Sequence, residues 1–155
     1  NLFGAAARTP GPRQKLAPLG RLDQDSRGLL LLSEDGVLAK AVIGPDSQVD
    51  KEYEVAVTGR IDRARIQLLR HGLELDGRKL KPAKVVQMDT QKLRFTLTEG
   101  RNRQIRRMCE AVGLEVADLL RTRIGSVRLG DLPEGKWRPL TEEERFGLIE
   151  ASSGR

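Results

Sequence analysis

Apolar positions along the chain follow two periods, broken by clusters of glycine, proline, aspartate and serine. An unbroken apolar run of strand length, or alternation, marks a strand; recurrence every three or four residues marks a helix. Residues 28–33 are a continuous apolar run, as expected of a buried strand. Leu19 to Leu22 reads as a short strand ending at Asp23. Residues 51–58 alternate, with Tyr53, Val55 and Val57 on one side and Glu52, Glu54 and Ala56 on the other. Residues 83–88 and 92–98 are two more strands around Asp89-Thr90-Gln91. Residues 115–120 and 124–129 are extended candidates.

Helical spacing appears four times. Asp35 can cap a helix carrying Leu38, Val42 and Ile43, stopped by Gly44-Pro45-Asp46-Ser47. Residues 61–70 form a second, ended by His71-Gly72 with the glycine expected in the left-handed conformation. Residues 102–112 form a third, stopped at Gly113. Thr141 and Glu144 make a capping box that opens the last. Asp76-Gly77 predicts a tight hairpin turn. Residues 1–18 contain Gly4, Pro10, Gly11, Pro12 and Pro18 and lack an apolar period, so they read as a flexible or incomplete N-terminal segment. Residues 19–150 read as one folded domain, and 151–155 as a tail. Interspersed helices and strands predict an α+β fold: a mixed, largely antiparallel sheet with packed helices.

Composition narrows the partner. The net charge is +6, and arginine supplies 20 of the 28 basic residues. A guanidinium fork suits phosphate oxygens and base edges, so a nucleic acid is the expected partner; arginine-rich coding in a GC-rich genome is the competing explanation. Only five aromatic residues are present, so the core must be aliphatic. Cys109 and His71 stand alone in kind, which excludes an intrachain disulfide and a zinc site of the usual Cys/His type. A reducing, cytoplasmic setting is the default. No apolar run approaches the roughly 20 residues that span a bilayer, and no signal peptide is visible.

The strongest basic feature is Glu99-Gly100-Arg101-Asn102-Arg103-Gln104-Ile105-Arg106-Arg107-Met108-Cys109. As a helix it puts Ile105, Met108, Cys109 and Val112 on one stripe. Arg103 and Arg107 lie roughly 160° from Ile105, while Arg106 lies about 100° away, at the border of the stripe. Two arginines therefore face solvent, and Arg106 needs an acceptor such as a carboxylate. Asp23 and Asp25 are two residues apart in a polar loop, where a lone aspartate is most often a turn residue. Tyr53, the single tyrosine, is most often core in such a setting. Trp137 reads as a packing residue with a partly wet edge, and Cys109 as a small core residue.

Together these segments resemble the pseudouridine synthases, in the branch that modifies ribosomal RNA, the RsuA branch. Gly20-Arg21-Leu22-Asp23 with Ser26, the run from Gly28 to Leu32, and Asp35-Gly36 look like its catalytic motif. Lys51-Glu52-Tyr53 looks like its tyrosine-bearing strand, and 99–108 like its third motif. Arg121-Thr122-Arg123-Ile124-Gly125 and 135–141 look like its closing segment. The resemblance runs in order over about residues 19–146. Within the branch, 104–110 and 120–124 look closest to the RluF type, which acts on large-subunit rRNA.

The resemblance implies a pseudouridine synthase catalytic domain over 19–150 that isomerises a uridine of rRNA without a cofactor. Asp23 is then the nucleophile, and Arg21, Tyr53, Ile105 and Arg106 bind the substrate. Lys51, Arg101, Asn102, Arg103, Gln104, Arg107, Arg121 and Arg123 are expected to contact RNA. No metal ligand is implied, and a monomer is the expectation. The family's small RNA-binding domain of the S4 type and its opening Lys-Pro strand are not visible in this sequence. The alternative is a non-catalytic basic RNA-binding module or ribosome assembly factor on the same fold. A hydrolase built on Asp23 and Asp25 leaves the basic helix unexplained.

Overall fold

The structure is a computed structural model that describes residues 5–8, 17–19, 22, 25–44, 47–100 and 103–152. Its elements in chain order begin with β1 (Ala5–Arg8), β2 (Ala17–Pro18), β3 (Arg27–Ser33), α1 (Gly36–Ile43) and β4 (Lys51–Thr58). There follow α2 (Arg63–His71), β5 (Glu74–Leu75), β6 (Arg78–Lys79), β7 (Lys84–Asp89) and β8 (Lys92–Leu97). The remaining elements are α3 (Gln104–Ala111), β9 (Glu115–Ile124), β10 (Val127–Arg128), β11 (Trp137–Pro139) and α4 (Glu142–Ser152). Two compact units result, one of residues 1–51 with 121–155 and one of residues 52–120.

In the first unit β1 lies between β3 and β11 and is antiparallel to both, with Ala6 opposite Leu31 and Arg138. The sequence predicts a loop there, because Ala-Ala-Ala-Arg carries no apolar alternation; the strand is selected by its two neighbours, not by its own pattern. The strand predicted at Leu19 lies earlier, at Ala17–Pro18, paired with Leu32 and Ser33. Leu29, Leu31 and Leu38 are fully buried and form this unit's aliphatic core with Val42, Val49, Ile124, Val127 and Leu148. Helix α1 starts as expected: Asp35 accepts hydrogen bonds from the backbone N–H of Val37 and Leu38. It packs on α4. Both bonds of the Thr141–Glu144 capping box form, each at 3.0 Å.

In the second unit β8 lies between β4 and β7. The alternation of β8 buries Leu93, Phe95 and Leu97, and that of β4 buries Val55 and Val57. The stripe of α3 meets these strands, with Ile105, Met108, Cys109 and Val112 in the same core. Helix α2 packs on β7, and the Arg70 guanidinium donates to the Val85 carbonyl through Nε and Nη2 at 3.0 and 2.9 Å. Gly72 does not adopt the expected left-handed cap, since its φ is −123°. Its N–H still donates to the Leu68 carbonyl, so the last turn closes without an inverted residue. Asp76 and Gly77, at φ 55° and 75°, make the predicted tight turn between β5 and β6. The predicted strands at 115–120 and 124–129 are instead one ten-residue strand, β9, and the short β10, joined by a turn at Gly125. Every pairing resolved in register is antiparallel. The α+β reading with a mixed, largely antiparallel sheet therefore holds.

Candidate active site and RNA-facing segments

Arg21, Asp23, Arg101 and Asn102 lie outside the described residues. Strand β3 begins at Arg27, shortly after Asp23, and is tightly held. Gly28 has φ +118°, and a Cβ there would lie 2.6 Å from the backbone nitrogen of Arg121. Only glycine permits the start of β3 to approach the backbone at Arg121 this closely. Arg121 itself is 3% exposed, and its Nε donates to the Leu29 carbonyl at 2.8 Å. Arg121, expected to contact RNA, thus occupies an inward position of a strand, with its Nε on the backbone of β3.

Lys51 opens β4 and is half-buried. Burial, and next the Arg121 charge, hold its ammonium below the ordinary lysine range, with Asp50 opposing. The Asp50 carboxylate is gripped by Arg123 through Nη1 at 2.9 Å and Nη2 at 3.2 Å. The Gly125 N–H donates to the Asp50 carbonyl at 2.7 Å, and Arg123 also donates to the Gly125 carbonyl at 2.7 Å. Arg123, expected to contact RNA, thus ties Asp50 to the turn after β9. Sequence spacing alone could not pair it with a residue 73 positions away.

In the second unit Tyr53 is half-buried and packs against the core. Ile105 is 4% exposed and Arg106 9% exposed. The border position of Arg106 thus becomes a buried cation on the helix that the core holds by Met108 and Cys109. Gln104, expected to meet RNA, is buried, and its Nε2 lies 3.8 Å from the Met108 sulfur. Arg103 is exposed and takes a left-handed backbone, φ 51°, at the start of α3. Arg107 is not the freely solvated cation expected: it makes a two-pronged ion pair with Asp76, at 3.0 to 3.2 Å. Asp76 escaped the sequence reading as a partner, since a turn signal says nothing about what the turn touches. Burial pushes the Cys109 thiol up to about 12, which leaves it inert as a nucleophile at neutral pH.

The comparisons with known proteins meet these same segments. The family model described as RNA pseudouridylate synthase matches residues 4–111. The chain is 42% identical over 143 residues to the dual-specificity RNA pseudouridine synthase RluF of Escherichia coli (strain K12), covering 90% of this chain and 49% of that protein. It is 39% identical over 137 residues to the ribosomal large subunit pseudouridine synthase B of Bacillus subtilis (strain 168), covering 84% of this chain and 56% of that protein. The chain thus spans about half the length of the curated relatives it matches. Among solved structures, a crystal structure of pseudouridylate synthase superposes with a TM-score of 0.89 at 29% identity, over 96% of this chain and 74% of that one. On the family match, the identities and the shared fold, this chain belongs to the RNA pseudouridylate synthase family.

Proposed function

We propose that this chain carries the catalytic part of an enzyme that converts a chosen uridine of ribosomal RNA, in the large subunit, to pseudouridine. The observation that carries the reading is the 42% identity over 143 residues to a dual-specificity RNA pseudouridine synthase, covering 90% of this chain. The reaction is an isomerisation. The bond from the ribose C1′ to N1 of uracil breaks, the base turns, and C1′ bonds to C5; the C5 proton leaves and N1 gains one. No electron is transferred, so the balance requires no redox partner.

In this reading Asp23 is the nucleophile. Its carboxylate must stay ionised, which a nearby guanidinium favours by stabilising the charged form. Arg106 is assigned that task, and its burial supports the assignment because a cation out of water is weakly screened. Tyr53 stacks on the uracil, consistent with a side chain that packs on the core without being fully buried. Ile105 supports the base from the apolar side. Arg21 enters the RNA stack where the target base has been extruded, since a base inside a helix is out of reach. Arg101, Asn102 and Arg103 contact phosphate ahead of α3. The setting in this reading is the cytoplasm, because the proposed substrate is ribosomal RNA. Among the described residues no helix is long and apolar enough to cross a membrane.

Two measurements test this. Pseudouridines are mapped in rRNA from cells with and without the protein, and one position is expected to lose its modification. Asp23→Asn is expected to abolish conversion while RNA binding persists. Conversion by the variant at the parent's rate overturns the assignment of Asp23. An unchanged pseudouridine map overturns the activity and leaves the RNA-binding module as the reading.

A further inference from the structure

The β5–β6 hairpin is tied to the third motif at two independent points. At its tip, Asp76 holds Arg107 of α3 through both carboxylate oxygens. At its base, the Lys81 N–H donates to Glu99 Oε1 at 2.6 Å. Glu99 and Arg107 bracket the segment that carries Arg103 and Arg106. Between the ties, Leu75 packs against the core, while Arg78, Lys79 and Lys81 are exposed. Three exposed cations thus stand on or beside a hairpin whose strands are two residues each. The tight turn and the ion pair fix a short ribbon that would otherwise be marginal in water.

We propose that this hairpin and the start of α3 form one RNA-docking surface, in which Arg78, Lys79 and Lys81 extend the row of cations begun by Arg103, and the Asp76–Arg107 pair acts as the latch that holds them in place. The partner is the phosphate backbone of an RNA strand flanking the nucleotide that enters the catalytic site, so the inference rests on the proposed RNA reading. Phosphate fits because the surface offers cations without an adjoining aromatic among the residues of the hairpin, which suits backbone contact over base reading. Asp76 is then not a repulsive charge facing the RNA. Arg107 takes up its negative charge, and its function is to fix the geometry.

The test measures binding of the full chain to a large-subunit rRNA transcript across about 50 to 200 mM salt. Arg78→Gln/Lys79→Gln is expected to weaken binding roughly tenfold and to lower the slope of log affinity against log salt by about 1.4 to 1.8, at 0.7 to 0.9 per phosphate contact. The control Arg128→Gln/Lys136→Gln removes equal charge from exposed positions of the other unit and is expected to change both far less. Asp76→Asn is the sharper arm, because asparagine tolerates the left-handed backbone of the turn, φ 55°, and removes the carboxylate charge that holds Arg107. Removing a negative charge should tighten RNA binding if only net charge mattered; loss of the latch predicts weaker binding. Equal effects in the two double variants, or tighter or unchanged binding by Asp76→Asn, overturn the proposal. Thermal melting of each variant, expected within a degree or two of the parent, separates docking from folding. The binding readout is independent of chemistry. If the parent forms no pseudouridine yet the hairpin variants lose affinity, the surface stands and the activity fails; the reverse pattern sinks the surface alone.

Discussion

Gly28 shows how much one residue can control. Its φ of +118° disfavours any side chain, and the backbone of Arg121 fills the space a Cβ would need. Gly77 has a comparable φ of +75° with nothing within 4 Å of the added atom. Gly28→Ala is therefore expected to destabilise the fold by at least about 2 kcal/mol, from strain and clash together. Gly77→Ala should cost only about 1 kcal/mol, from strain alone. Denaturant midpoints of the two variants measure the difference; equal losses would mean the close approach to Arg121 is easily relaxed. The sequence showed Gly28 at the head of an apolar run but could not show why it is glycine. The reason sits 93 residues away, at Arg121.

At the level of elements, the helices were legible because their signals are local. The cap of α1, the capping box of α4 and the stripe of α3 all formed where the spacing placed them. Thr141→Ala is expected to lower stability by about 1 kcal/mol, the usual worth of an N-cap side chain, measured by thermal melting. Met108→Ala, in the core face of α3, should cost about 2 to 5 kcal/mol through the cavity it leaves. If that variant melts like the parent, the stripe does not anchor the helix that carries Arg106. Short strands were less legible. β1 has no apolar alternation to announce it, and β9 continues through Arg121 and Arg123, residues whose charge argues against a strand interior. Both are strands because neighbouring strands supply their hydrogen-bond partners and, for Arg121, a carbonyl acceptor.

Across the whole molecule, charge governs behaviour with pH and salt. The Arg145 guanidinium holds the Asp35 carboxyl below its ordinary value, and Arg138 does the same for Glu144. Carboxyls depressed in the folded state contribute stability that is complete above their unfolded values, near 3.8 and 4.5. That stability is lost as pH falls through the lower folded values. Acid unfolding monitored by circular dichroism should therefore be shallower below pH about 4 in Asp35→Asn than in the parent, because one proton uptake is removed. A slope equal to the parent's would exclude Asp35 from the acid transition.

The amino-acid pattern by itself determined the fold class, the four helices, the central strands and the order of the family motifs, because each depends on periodicity, caps and turn chemistry within a few residues. Tertiary structure decided which acceptor each cation meets. Arg121, Arg123 and Arg107 look alike in sequence as candidate RNA contacts. Their acceptors, Leu29, Asp50 and Asp76, lie 92, 73 and 31 positions away. The acceptor a guanidinium meets is the one the fold brings within about 3 Å, and chain-local spacing carries no record of that distance.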